Sequence, residues 1–351
     1  MKFYPLTVKD IRKETSDCVS VAFEVPLDIA QEFQYVQGQY LTMKSDILGD
    51  DIRRSYSICS SPYEGELRVA IKLVDDGKFS TFANRVLKKN DVLDVMPPLG
   101  HFFTPLHPEQ NKSYVFFAAG SGITPIISNI KTILQKEPKS SCTLLYGNQK
   151  ISTIIFKEEI EAIKNKNLGR FQVFNILSKE YTESDLLNGR LDAKKLHRFF
   201  ELVPSILASD EYFACGPTEM IEDIQKILIE KNIPEDKIHF ELFNAPKNQI
   251  KKQIIEKAIE SHATIKIDGL TLEVPVEKGQ NILDAAQHMG TDMPYACKGG
   301  VCCTCRAKLM EGEVEMTANY ALTKEEVKNG FILTCQAVPK TKKVVIDFDI
   351  K

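Results

Sequence analysis

At about Tyr114 the hydrophobic rhythm of this 351-residue chain changes, and no single sheet can satisfy both sides of the change. Before it, apolar residues recur at every second position: Val19, Val21, Phe23 and Val25, then Leu67, Val69, Ile71 and Leu73. A period of two marks half-buried antiparallel strands, and the Gly and Pro residues between them suit a small barrel ending near Phe103. After it, YVFFAAG reads as a fully buried strand, and CTLLYG, FQVFNIL, EYFACG and IHFELF follow as further strands. Helix-like stretches separate them, among them Ile123 to Gln135, TIIFKEEIEAIKN, LDAKKLHRFF and PTEMIEDIQKILIEK. Buried strands alternating with helices predict a parallel sheet covered on both faces.

A third rhythm follows a polar, lysine-rich stretch, NAPKNQIKKQIIEKAIESH, which reads as a linker with helical tendency. ATIKIDGLTLEVPV predicts a hairpin turning at Asp268-Gly269. A short helix (NILDAAQHM), a cysteine-rich loop and a last strand (KVVIDFDI) complete the unit. The expected division is residues 1–105 as a barrel, 106–243 as an α/β domain, 244–262 as a linker and 263–351 as a third domain.

Composition removes several classes of function. A formal net charge of -3 argues against nucleic acid as a partner. The start, MKFYPLTVKDIRKETSD, lacks the apolar stretch of a secretory signal, and the longest apolar runs are far too short to span a bilayer. Nine cysteines in such a chain point to a reducing, cytoplasmic setting and to metal binding rather than disulfides.

Three groups of residues carry chemistry. The first is RRSYSICSSP, Arg53 to Pro62. Arg54 suits a bidentate grip on a pyrophosphate, Tyr56 shares its side of the strand and suits an aromatic ring system, and Ser57 supplies a hydroxyl. Arg53 reads as a surface charge. Downstream, GKFS (Gly77 to Ser80, including Phe79) offers a glycine turn, backbone N–H groups and a hydroxyl to phosphate.

The second group lies at two strand ends of the α/β segment. GSGITP brings Gly120, Gly122 and Thr124 to the start of a helix, where backbone N–H groups approach a pyrophosphate. ACGPTEM repeats the geometry with Cys215, Gly216 and Pro217. Cys215 is small and polarisable enough to pack beside a nicotinamide.

The third group is CKGGVCCTC. Cys297-x4-Cys302-x2-Cys305, with Cys335 thirty residues later, is the spacing of a plant-type [2Fe-2S] site. Zinc would call for a second Cys-x2-Cys knuckle, which is missing. Gly299 and Gly300 let the loop wrap with N–H groups toward sulfur. Cys303 falls outside the ligand spacing, and Cys18, Cys59 and Cys142 read as buried strand residues.

RxYS, GxxS, GxGxxP and CGP in this order resemble the ferredoxin-NADP⁺ reductase superfamily over about Met1 to Phe243, and the last segment resembles plant-type ferredoxins of the β-grasp fold. The resemblance implies FAD held by Arg54, Tyr56, Ser57, Gly77, Phe79 and Ser80, with Thr124 nearby. It implies NADPH or NADH beside Gly120, Gly122, Cys215, Gly216 and Pro217, with Ser57 and Cys215 at the site of hydride transfer. It implies a [2Fe-2S] cluster on Cys297, Cys302, Cys305 and Cys335. Members carry electrons from NAD(P)H through FAD and the cluster to an oxygenase. CKGGVCCTCRAKLMEGEVEM, GFILTCQAVP and MPPLGHFF are most similar to reductases that serve di-iron phenylacetyl-CoA epoxidases. Reductases of Rieske oxygenases and steroid hydroxylases share the architecture, and a non-enzymatic flavin or metal redox sensor is the alternative of another class. Lys150, Lys179 and Arg190 stand where a 2′-phosphate would be read, and no acidic residue directly follows the second α/β strand, which favours NADPH.

Overall fold

The structure is a computed structural model that describes residues 2–45, 51–245, 254 and 258–350. It divides into two compact units, one of Phe3–Ile52 with Tyr56–Leu242, the other of Phe243–Lys351 with Met1–Lys2 and Arg53–Ser55.

The chain opens with the antiparallel strands β1 (Tyr4–Thr15), β2 (Cys18–Glu24), β3 (Tyr40–Lys44), β4 (Arg53–Ser57), β5 (Leu67–Lys72) and β6 (Val92–Val95), all of the larger unit except Arg53–Ser55 of β4. Their order is β4-β3-β6-β1-β2-β5, and an antiparallel bridge from Ile58 to Val69 joins the two ends into the expected barrel. Leu6, Val8, Val21, Leu41, Met43, Val69 and Ile71 fill it. Helix α1 (Lys78–Arg85) starts where the sequence suggests only a turn. Phe79, Phe82 and Ala83 recur at helical spacing and are buried in the barrel core, and Gly77 stands at the N-cap, where glycine is well tolerated.

The parallel sheet follows as β7 (Ser113–Ala119), α2 (Ile123–Lys136), β8 (Ser141–Asn148), α3 (Lys157–Lys166), β9 (Phe171–Leu177), α4 (Ala193–Leu202), β10 (Glu211–Cys215), α5 (Thr218–Glu230) and β11 (Ile238–Glu241). Every neighbouring pair in its order, β11-β10-β7-β8-β9, is parallel. The chain runs outward from β7 on one side and then returns to its other side, so the order reverses between β7 and β10. Ligands of open α/β sheets bind at the carboxyl ends of strands flanking such a reversal. Cys18, Cys59 and Cys142 are buried in the core that includes β7 and α2, and burial raises all three thiols above their ordinary range.

The C-terminal unit contains β12 (Ser261–Ile267), β13 (Leu270–Val276), α6 (Ile282–His288), β14 (Arg306–Glu311), β15 (Val314–Met316), α7 (Lys324–Lys328), β16 (Phe331–Leu333), β17 (Ala337–Pro339) and β18 (Lys343–Asp347). Its five-stranded sheet has the order β13-β12-β18-β14-β16, with β12 and β18 parallel. The hairpin turns at Asp268 and Gly269, both with positive φ (49° and 75°), as a twisted two-residue turn requires. Most of the lysine-rich linker, residues 246–253 and 255–257, lies outside the described residues. Among the described residues no helix is long and apolar enough to cross a membrane.

Candidate functional site

Strand alternation divides the RRSYS residues between two faces. Arg53 is 3% exposed and is not the surface charge expected of it. Its guanidinium lies 4.5 Å over the Tyr295 ring, donates to the Met293 carbonyl at 2.9 Å and pairs with Asp292, all within the C-terminal unit. Those partners explain how a guanidinium tolerates burial. Arg54 points the other way and is exposed, donating to the Arg53 carbonyl at 2.8 Å. Tyr56 is half-buried, and its ring is backed by Phe79 at 5.5 Å. Phe79 therefore stands behind the aromatic surface that Tyr56 offers.

In the GKFS turn the Ser80 hydroxyl donates to the Gly77 carbonyl and accepts from the Val74 N–H, each at 3.1 Å. A Cβ at Gly77 would sit 2.5 Å from Ser80 Oγ. Ser80 thus builds the turn, and the N–H groups at the start of α1 are what the turn presents to an anion.

The two glycine loops of the α/β sheet meet across the strand-order reversal. GSG follows β7 and CGP follows β10. A Cβ on Gly122 would fall 2.1 Å from the Cys215 carbonyl oxygen, so only glycine allows this approach. Gly120 has φ of 53°, and its carbonyl accepts from the Tyr146 hydroxyl at 3.0 Å. Gly216 is less confined, since the atom nearest to where its Cβ would stand is the mobile tip of Met220, Cε at 2.6 Å. Thr124 is buried and donates to the Ser121 carbonyl at 3.0 Å, while Pro217 caps α5.

Sequence reasoning missed Glu241. Ser57 Oγ donates to Glu241 Oε2 at 2.8 Å, and the parallel register sets Glu241 beside Cys215. Part of the residue remains accessible, yet enclosure of its carboxyl pushes the pKa up to about 7, against the opposing pull of Ser57. Burial first, and then Glu241, holds the Cys215 thiol well above its ordinary value, so Cys215 is a neutral neighbour rather than a thiolate. The trio Ser57, Cys215 and Glu241 supplies a hydroxyl, a soft neutral wall and a carboxyl that titrates near neutrality. One signal in the sequence pointed to it: Glu241 is an acid between Phe240 and Leu242 in IHFELF, the last strand of the parallel sheet.

In the C-terminal unit Cys302 Sγ lies 3.1 Å from Cys297 Sγ, and Cys335 hydrogen-bonds both Cys297 and Cys305. The Gly299 N–H reaches Cys297 Sγ at 3.3 Å, and Gln336 Nε2 reaches Cys335 Sγ at 3.4 Å. Hydrogen bonds from Cys302 and Cys335, then from backbone N–H groups, pull the Cys297 thiol far down. Gly300 has φ of 75°, and a Cβ there would meet the Ala318 carbonyl at 2.9 Å. Converging sulfurs under N–H donors fit an iron–sulfur cluster. Cys303 turns away and donates to the Ala321 carbonyl at 3.3 Å.

Comparison with known proteins follows the same divisions. Family models match an oxidoreductase FAD-binding domain at residues 5–104, an oxidoreductase NAD-binding domain at 116–226 and a 2Fe-2S iron-sulfur cluster binding domain at 265–340. The chain is 40% identical to a component polypeptide of the 1,2-phenylacetyl-CoA epoxidase of Escherichia coli, covering 99% of this chain and 98% of that one. It is 31% identical to the ferredoxin reductase component of 3-ketosteroid-9-alpha-monooxygenase from Rhodococcus rhodochrous, over 98% and 96%. Among solved structures, phthalate dioxygenase reductase superposes with a TM-score of 0.59 at 20% identity, over 99% of this chain and 98% of the other.

Proposed function

This chain belongs to the ferredoxin-NADP⁺ reductase-like family of reductases with FAD-binding, NAD-binding and C-terminal 2Fe-2S domains, and on that premise we propose how its residues divide the work. It is an NAD(P)H-dependent flavin and iron–sulfur oxidoreductase. When bound, the nicotinamide supplies a hydride, the flavin accepts it, and the cluster forwards electrons one at a time.

The chain's own contribution is orientation and proton handling. Arg54 offers its exposed guanidinium to the pyrophosphate, and Tyr56, braced by Phe79, covers the ring. Gly77, Phe79 and Ser80 shape the α1 N-terminus for phosphate. Gly122 packs directly against Cys215 and Gly216, and these two loops, with Gly120, Thr124 and Pro217, receive the nicotinamide. Ser57 Oγ and Glu241 Oε2 form a short path along which a proton moves between the flavin side and the carboxyl. Cys297, Cys302, Cys305 and Cys335 hold the cluster. The segments 1–105, 106–243 and 263–351, joined by 244–262, correspond to these three tasks, in keeping with the matched ranges.

We infer that the acceptor is an oxygenase component, and that it is a phenylacetyl-CoA epoxidase. Identity of 40% along essentially the whole chain to a component of that enzyme carries the inference. Mixing the loaded protein with NAD(P)H and purified oxygenases tests it. Epoxidation driven with phenylacetyl-CoA epoxidase supports it, and turnover only with a steroid monooxygenase favours the second reading that the Rhodococcus relative suggests.

For the nicotinamide, NADPH is favoured. Lys150 and Lys179 line one groove of about 1060 Å³ at the carboxyl ends of β8 and β9, where a 2′-phosphate would meet them. Lys179→Ala should lower kcat/KM for NADPH about tenfold, as expected for one charged hydrogen bond, and leave NADH unchanged. Equal losses for both would refute the preference. A cytoplasmic setting suits thiols that must remain reduced to take iron.

A further inference from the structure

The tail of the flavin motif, Ser60 and Ser61 of RRSYSICSSP, has no task in the reading above, yet both residues are buried. They meet helix α2, which begins directly after GSG. The apolar side of α2 (Ile123, Ile126, Ile127, Ile130, Ile133) belongs to the core of the parallel sheet. Thr124, Ser128 and Thr132 recur every fourth residue, so they share a second face, and each is at most 2% exposed. Ser128 Oγ donates to the Ser60 carbonyl at 2.7 Å, and Thr132 Oγ1 lies 3.0 Å from Ser61 Oγ. Beside them, Asn129 Nδ2 donates to the carbonyls of Phe102 and Pro125, each at 3.0 Å. Gly38 closes the joint: a Cβ there would lie 2.0 Å from the Phe102 oxygen and 2.7 Å from Asn129 Nδ2.

Apolar side chains would fill this contact at less desolvation cost. Hydrogen bonds add direction, because each works only over a few tenths of an ångström and a narrow angle. We propose that Ser128 and Thr132, which bond the helix bearing the nicotinamide loop to the segment ending the flavin motif, and Asn129, which bonds the same helix to Phe102 at the end of the barrel, are positioning residues that hold the hydride donor and acceptor sites at a set separation. The proposal rests on the placement of the nicotinamide at Gly120 and Gly122. Its logic is that a misplacement of about 1 Å can cost roughly 100-fold in rate.

The test uses full-length protein loaded with FAD and cluster, comparing wild type with Ser128→Ala and with the isosteric Thr132→Val. Anaerobic stopped-flow absorbance gives the limiting rate of flavin reduction by NADPH, and titration with NADP⁺ gives the dissociation constant. The expected result is a limiting rate lowered about 10- to 100-fold, with FAD content and NADP⁺ affinity within about twofold of wild type, a spread that context effects on a single hydrogen bond already produce. Independently of turnover, amide hydrogen exchange in nucleotide-free protein should quicken at residues 58–61 and 121–126. Unchanged limiting rates, or losses accounted for by missing FAD or weaker NADP⁺ binding, would overturn the clamp. A wild type that neither nicotinamide reduces removes the nicotinamide site and the proposal with it.

Discussion

Replacing Glu241 with Gln isolates a carboxyl that the fold poises near neutrality. In the folded protein its pKa is about 7 against an ordinary 4.5, with desolvation as the main cause. Ionising it in place therefore costs about 3 kcal/mol more than ionising it in the unfolded chain. The sign follows from the protonated form being favoured by folding. Full stability is present below pH 4.5 and declines as pH rises through 7. Glutamine keeps the shape and still accepts from Ser57 but has no charge to bury. In protein stripped of FAD, urea unfolding of the larger unit should find the Gln variant equal to wild type only below the unfolded pKa, at about pH 4. At pH 8 it should be up to about 3 kcal/mol more stable. The flavin-loaded enzyme should move oppositely in rate. Wild-type reduction of cytochrome c should rise with pH through about 7, as the carboxylate becomes free to take the proton that Ser57 passes. The Gln variant should be slower and flat over the same range. Equal stabilities at pH 8, or a rate limb near pH 7 surviving in the variant, would refute the role given to this carboxyl.

The other expectations concern the remaining sites. Cys303→Ser should keep the reduced-cluster EPR signal and the iron content, since its sulfur hydrogen-bonds the Ala321 carbonyl. Cys302→Ser should lose both, as its sulfur lies 3.1 Å from Cys297. Gly122→Ala forces a methyl against the Cys215 carbonyl, which should lower stability by about 1–3 kcal/mol and abolish flavin reduction by nicotinamide. The cluster of that variant should still form, and anaerobic dithionite titration reads it. Cys215 should resist iodoacetamide at pH 8 in native protein, being buried with its thiol raised, and should react once urea is added; peptide mapping distinguishes the two.

Much of this protein was legible along the chain because much of its organisation is local. Alternation by two and continuous apolar runs record whether one or both faces of a strand are covered, so barrel and parallel sheet separate cleanly near Tyr114. Cysteine spacing reports directly on a loop that must wrap a cluster, and Cys303 falls outside it by simple counting. Helix α1 was less legible. Gly77 masks the helical spacing of Phe79, Phe82 and Ala83, and only the barrel core rewards that spacing. What the sequence could not contain are distances between residues far apart in the chain. Ser57 and Glu241 meet because β4 and β11 come together at one end of the unit, and only there does an ordinary carboxyl become one that titrates near 7. Arg53 reads as surface charge until Tyr295 and Met293 enclose it. Ser60 and Ser61 carry no signal of their own until α2 lies against them. Residue type and periodicity determined which chemistry this chain holds. Enclosure, which exists only after packing, decided which groups are neutral, which are paired and which are held at a fixed separation.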